Sequence, residues 1–160
     1  MNKKTLALIA ITLACPAFAA DTPPAKAPTQ EEVIAQFRSD LMAKRADVVA
    51  KITTLTAEQA AKFWPLYEDF QKEQQVIVDG QLQATQAYAK SFPNPTEADS
   101  LAYVNALLER DQKMHDLRVM WLKKFQEAVP PGTAARVIHI ERRLGLATQA
   151  RLSSQIPLVR

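Results

Sequence analysis

Leu55-Thr56-Ala57-Glu58-Gln59, followed by Ala60-Ala61-Lys62-Phe63-Trp64-Pro65-Leu66-Tyr67, is the stretch that decides the fold. Thr56 and Gln59 have the spacing of a capping box. The Thr56 hydroxyl accepts the Gln59 amide, and the Gln59 side chain accepts the Thr56 amide. Leu55 sits just before the cap, where it can pack on Ala60 as a hydrophobic staple. The stretch therefore opens a helix. Ala60, Phe63, Trp64, Tyr67, Phe70, Ile77, Leu82 and Tyr88 carry that helix from about 57 to about 91 at helical spacing. Pro65 falls inside it, removes the bond to the Ala61 carbonyl, and predicts a kink.

Working back toward the N-terminus, Thr29-Gln30-Glu31-Glu32 is a second capping box. Ile34, Phe37, Leu41, Val48 and Ile52 recur behind it, predicting a helix over about 30–52. Residues 20–29 are rich in Pro and Ala and read as a flexible arm. Residues 1–19 read as a signal peptide. Lys3 and Lys4 form the basic region, Leu6 to Ala14 the apolar run, and Ala17-Phe18-Ala19 the cleavage site, with cleavage after Ala19. The run is far shorter than the ~20 residues that span a bilayer. Cys15 leaves a lipid anchor as the alternative, but Thr12-Leu13-Ala14 and Pro16 fit that signal poorly. With the leader gone the mature chain has no cysteine, which excludes thiol catalysis and a disulfide framework. Lys plus Arg then falls from 20 to 18 against 17 acidic residues, about +1. The basic isoelectric point is partly the leader's, so net charge points to neither nucleic acid nor a membrane surface.

Toward the C-terminus, Ser91-Phe92-Pro93-Asn94-Pro95 is a break, and Thr96 with Asp99 caps the next helix. Leu101, Val104, Leu107, Leu108, Met114, Leu117, Trp121, Leu122 and Phe125 extend it to about 128. Leu107, Met114, Trp121 and Ala128 are seven apart, which suits near-antiparallel helix packing. Val129-Pro130-Pro131-Gly132 ends that helix, and a last one is predicted over about 133–154, with Val137, Ile138, Ile140, Leu144 and Ala147 apolar. Glu141 lies within that apolar pattern and must pair with Arg118, Arg142 or another arginine, because an unpaired buried carboxylate is expensive. Ile156-Pro157-Leu158-Val159 is an apolar tail expected to dock on the body or on a partner chain. Glycine is scarce at 3 of 160 residues, and 48% of the chain is hydrophobic. The fold class is all-α: four helices in a long kinked hairpin or bundle, one domain over 30–160.

The order of these motifs resembles the Spy/CpxP-like periplasmic family, which is named for its LTXXQ motif. Leu55-Thr56-x-x-Gln59, Phe63-Trp64-Pro65-x-Tyr67, Val129-Pro130-Pro131, Ala134-Ala135-Arg136, Ile140-Glu141-x-x-Leu144 and Ile156-Pro157-Leu158-Val159 carry the resemblance over about residues 30–159. It is most similar to uncharacterised secreted members with the FWP-x-Y signature. The resemblance implies a helical hairpin protomer, an antiparallel homodimer with a curved surface, and a periplasmic location. Better-known members act as ATP-independent chaperones or as inhibitory sensors of envelope stress. Two departures stand out: the second LTXXQ that often opens the last helix is degenerate here, and the Met- or His-rich tails of metal-responsive members are absent.

No catalytic constellation is visible. The chain has no glycine-rich phosphate loop and no nucleophile beside a base, so it is read as a non-enzyme without cofactor. Glu109 and Asp111 read as solvated acids of a helix face. Asp111 and His115 have ligand spacing, but with His139 elsewhere they are too few for a metal site. The aromatic set Phe63, Trp64, Tyr67 and Phe70 reads first as core. The functional alternative is that Trp64, Tyr67 and Phe70, with Arg136, Arg142 and Arg143, line a surface for clients or partners. The expected function is chaperone-like binding of unfolded or stress-damaged proteins. The alternatives are regulatory binding of a sensor kinase's periplasmic domain and, below it, metal response. Neither nucleic acid binding nor a membrane span is expected.

Overall fold

The computed structural model describes residues 30–154, with side chains described at Ser39 and from Leu41 onward. The predicted leader, arm and Thr29 cap, and the apolar tail expected to dock, lie outside the described residues. Four helices follow one another: α1 (Gln30–Ile52), α2 (Ala57–Ser91), α3 (Glu97–Ala128) and α4 (Pro131–Ser153). No strand occurs among the described residues.

The capping box at Thr56 forms as its residue types demand. The Gln59 amide donates to Thr56 Oγ1 at 3.2 Å, and the Thr56 amide donates to Gln59 Oε1 at 3.0 Å. Leu55 is half-buried against the core. Thr96 and Asp99 repeat the device at the start of α3, with bonds of 2.9 and 3.1 Å. Between the caps, α2 runs 35 residues, roughly 50 Å, and continues past Pro65 as a single helix. Ala61 and Pro65 are both exposed, so water can take the carbonyl that the proline leaves without a donor.

Helices α2 and α3 pair antiparallel along their length. Phe63 lies against Phe125, Phe70 against Trp121 and Tyr88 against Tyr103, with ring centroids 5.3, 5.9 and 4.7 Å apart. Helix α4 packs on α3 and on α1. The main core therefore sits where all four helices meet. Phe63, Tyr67, Phe70, Trp121 and Phe125 form one aromatic cluster there, enclosed by Val49, Val129, Ala134 and Val137.

Two expectations are corrected. The buried stripe of α2 contains Gln71, Gln74 and Gln81, while Ile77, Leu82 and Trp64 are only half-buried. Tyr67, Gln74, Gln81 and Tyr88 are seven apart and form the seam, as a pair of long helices requires; two seam positions happen to be amides. The last helix starts at Pro131 rather than near residue 133, without a side-chain cap. Proline suits the first position of a helix, where its missing N–H has no acceptor to lose.

Candidate functional site

The polar centre of the molecule is Glu141, fully buried on α4. Three side chains converge on it. Tyr67 Oη donates to Oε1 at 2.6 Å. Arg45 Nη2 donates to Oε2 at 2.5 Å, and Gln74 Nε2 donates to the same oxygen at 3.3 Å. The sequence requirement for an arginine is met by Arg45 of α1, not by Arg118 or Arg142. Burial, and then the Glu141 charge beside it, hold the Tyr67 hydroxyl far above the usual phenol range. Tyr67 is therefore a fixed donor, and both oxygens of the Glu141 carboxylate are hydrogen-bonded, the condition under which a buried carboxylate is tolerated.

A cavity of about 340 Å³ opens beside this cluster. Leu41, Val78, Leu82, Met114 and Leu152 give it apolar walls. Gln81 and Gln149 also line it, exchanging two amide hydrogen bonds of 2.8 Å that tie α2 to α4. Three arginines, Arg45, Arg110 and Arg118, face the same space from α1 and α3. In each of them Nε is buried without a hydrogen-bond acceptor. Arg45 has Glu141, and Arg110 has Asp111 at 2.7 Å. Arg118 has no ion-pair partner among the described residues. Burial, then repulsion from Arg110 and Arg142, lower its pKa. Arginine does not give up its proton in proteins, so the direction reflects first a guanidinium drawn partly out of water and then the like charges beside it. Gly145 accommodates the guanidinium: a Cβ there would lie 3.2 Å from Arg118 Nη2.

The residues singled out in the sequence separate on inspection. Tyr67 and Phe70 are fully buried and cannot form a client surface on this chain; aromatic area of that size is consumed by the four-helix core. Trp64 is half-buried, edge-on to Phe63 and Tyr67 at 5.1 and 5.7 Å. Arg136, Arg142 and Arg143 are exposed. Arg136 donates to the Ile52 carbonyl at 3.2 Å, a cation on the C-terminus of α1. His115 and His139 are exposed, and no group of three or more metal-ligating side chains occurs among the described residues. No helix among them is long and apolar enough to cross a membrane.

Sequence reading missed Arg45, Gln74 and Arg110 at the centre, because charged and amide residues on α1–α3 look like solvated face positions. The one available signal was Glu141 itself.

The surface carries isolated large apolar side chains. Val76 on α2, Leu101, Leu108, Val119 and Met120 on α3, and Leu146 on α4 are each between 41% and 73% exposed. Leu101, Val104 and Leu108 fall on one side of α3, near the turn into α2.

Comparison with protein-family models, curated proteins and solved structures returns no match for this chain.

Proposed function

We propose that this chain is a non-catalytic, ATP-independent binding protein of the periplasm, which shields apolar segments of unfolded or stress-damaged proteins. The carrying observation is the exposed apolar side of α3, Leu101, Val104 and Leu108. These residues sit among charges such as Glu97 and Glu109 and are joined by scattered apolar residues on α2 and α4. Dispersed apolar contacts of this kind suit many weak attachments to varied extended chains better than one tight interface with one partner. The leader at residues 1–19 and the resemblance to the LTXXQ family support the same reading. A homodimer belongs to the proposal through that resemblance.

The test is suppression of aggregation of a chemically denatured client. Wild-type protein at stoichiometric amounts suppresses it, and Leu101→Ser with Leu108→Ser loses most of the effect while retaining its helical content. Absence of suppression by the wild type at several-fold excess refutes the chaperone reading. Sedimentation of the same variant is the control. If the double substitution dissociates a dimer, that side of α3 belongs to self-association instead.

A further inference from the structure

We infer that the cavity between Arg45, Arg110 and Arg118 is a binding site for a single-chain anionic amphiphile, an acyl chain ending in one negatively charged headgroup. The cavity has two chemically distinct parts. Leu82, Val78 and Met114 line it with largely apolar surface, whereas Arg118 lines it with a guanidinium with which no carboxylate among the described residues pairs. A ligand that satisfies both parts must itself be amphipathic.

Charge sets the sign and the size of the headgroup. Asp79 also lines the cavity, accepts from Gln75 Nε2 at 2.9 Å and is engaged by its neighbours. Arg45 is matched by Glu141, and Arg110 by Asp111. Arg118 alone is left with three like charges around it, those of Arg110, Arg142 and Arg45, against the attraction of Glu141. One uncompensated guanidinium calls for one anion. Its planar fork suits a carboxylate or an acidic phosphate ester, both of which accept two parallel N–H bonds. A cavity of about 340 Å³ is at the small end of ligand sites, which favours one acyl chain over two. Gly145 fits this role as well. A Cβ there would lie 3.2 Å from Arg118 Nη2, so an alanine would make the guanidinium shift by a few tenths of an ångström against α4.

This inference does not depend on chaperone activity, and its test reads a different quantity. Full-length mature protein is titrated calorimetrically with dodecanoate, with dodecanol and with lysophosphatidylglycerol, all held below their micelle concentrations. Saturable one-to-one binding of dodecanoate is expected, with dodecanol weaker by about tenfold or more, the scale of a lost charge-assisted hydrogen bond. The lysophospholipid arm separates a free carboxylate from a phosphate headgroup as the preferred form. Arg118→Gln should lose about tenfold in affinity for dodecanoate and leave that for dodecanol unchanged, again by the loss of a charged donor. Because Arg118 lacks a partner, the same variant keeps its melting temperature without ligand, and dodecanoate raises that of the wild type only. As a second variant, Leu152→Trp adds bulk to the apolar wall of the cavity and should abolish binding of both chains. The site is refuted by no saturable binding of either anion, by equal affinity for dodecanol, or by undiminished binding to folded Arg118→Gln.

Discussion

The two ends of the α2–α3 hairpin are built by different rules. At the base, α1 and α4 close over Phe63, Tyr67, Phe70, Trp121 and Phe125, and the buried Glu141 carboxylate there is paired. Glu141 has three donors, and Trp121 Nε1 donates to Glu73 at 2.9 Å while Lys124 lies over its ring. At the tip, from about residue 84 to about residue 108, burial thins to Tyr88, Ser100 and Tyr103. Their stacked rings are 4.7 Å apart, but Thr85 Oγ1, Tyr88 Oη and Ser100 Oγ are buried with no partner. Leu101 and Leu108 stand exposed beside them. A four-sided core with a large buried aromatic cluster and a thinly buried, two-helix tip predict unequal stability along one pair of helices.

The hardest blow to the base is Glu141→Leu. It strands the Arg45 guanidinium in a buried site and leaves Tyr67 and Gln74 without their acceptor. A loss of about 3–5 kcal/mol is expected from urea unfolding, the range for breaking a buried ion pair from one side. A loss below about 1 kcal/mol, the scale of an exposed pair, would mean that the pair is solvated and that it does not hold the base together.

A single chemical change made at both ends sharpens the contrast. Tyr67→Phe removes a donor from a buried carboxylate, whereas Tyr88→Phe removes a hydroxyl that has no partner. The first should cost about 1–3 kcal/mol, and the second should be neutral or slightly stabilising. Tyr67 also sets an alkaline limit. Below about pH 10 it is protonated folded and unfolded alike, so it adds no pH dependence. Above that, the unfolded chain releases its proton while the folded chain, its pKa raised by burial and by Glu141, retains it. Stability therefore falls as pH climbs past about 10, and Tyr67→Phe removes that share of the slope. An unchanged alkaline slope in the variant would assign the loss to other groups.

How far these two ends were legible in the sequence follows from what each is made of. Helix boundaries were legible because capping boxes and prolines act locally: Thr56, Thr96 and the prolines at 93 and 95 place their breaks within a residue or two. The aromatic core was legible for a similar reason, since Phe63, Tyr67 and Phe70 share one helical face. The seam at Gln74 and Gln81 was not, because a rule that counts apolar residues passes over amides at core positions. Nor was the partner of Glu141. Arg45 is 96 residues away on another helix, and several arginines satisfy the demand for a cation equally well until the helices are packed. The cavity combines both difficulties, since its arginines come from α1 and α3 and none is marked by a motif.

The two capping boxes give the finest test, because they are the same device at opposite ends of the hairpin. Thr56 opens α2 at the base and Thr96 opens α3 at the tip, each with reciprocal bonds of about 3 Å. Replacing either with alanine removes the hydroxyl acceptor for one helix amide, worth about 1 kcal/mol. The local chemistry is alike, so any difference must come from what surrounds the cap. At the base the first turn of α2 leads directly into Phe63 and Trp64, and fraying there opens the core. Thr56→Ala should therefore lower the midpoint of global unfolding by the full amount. At the tip the first turn of α3 carries Ser100 and Leu101 and touches little else, so it can open without disturbing Trp121 or Phe125. Thr96→Ala should leave the global midpoint nearly unchanged and lower hydrogen-exchange protection only across the start of α3 and the end of α2. Equal shifts of the global midpoint in the two variants would show that tip and base unfold as one unit, and that the exposed side of α3 has no independent freedom.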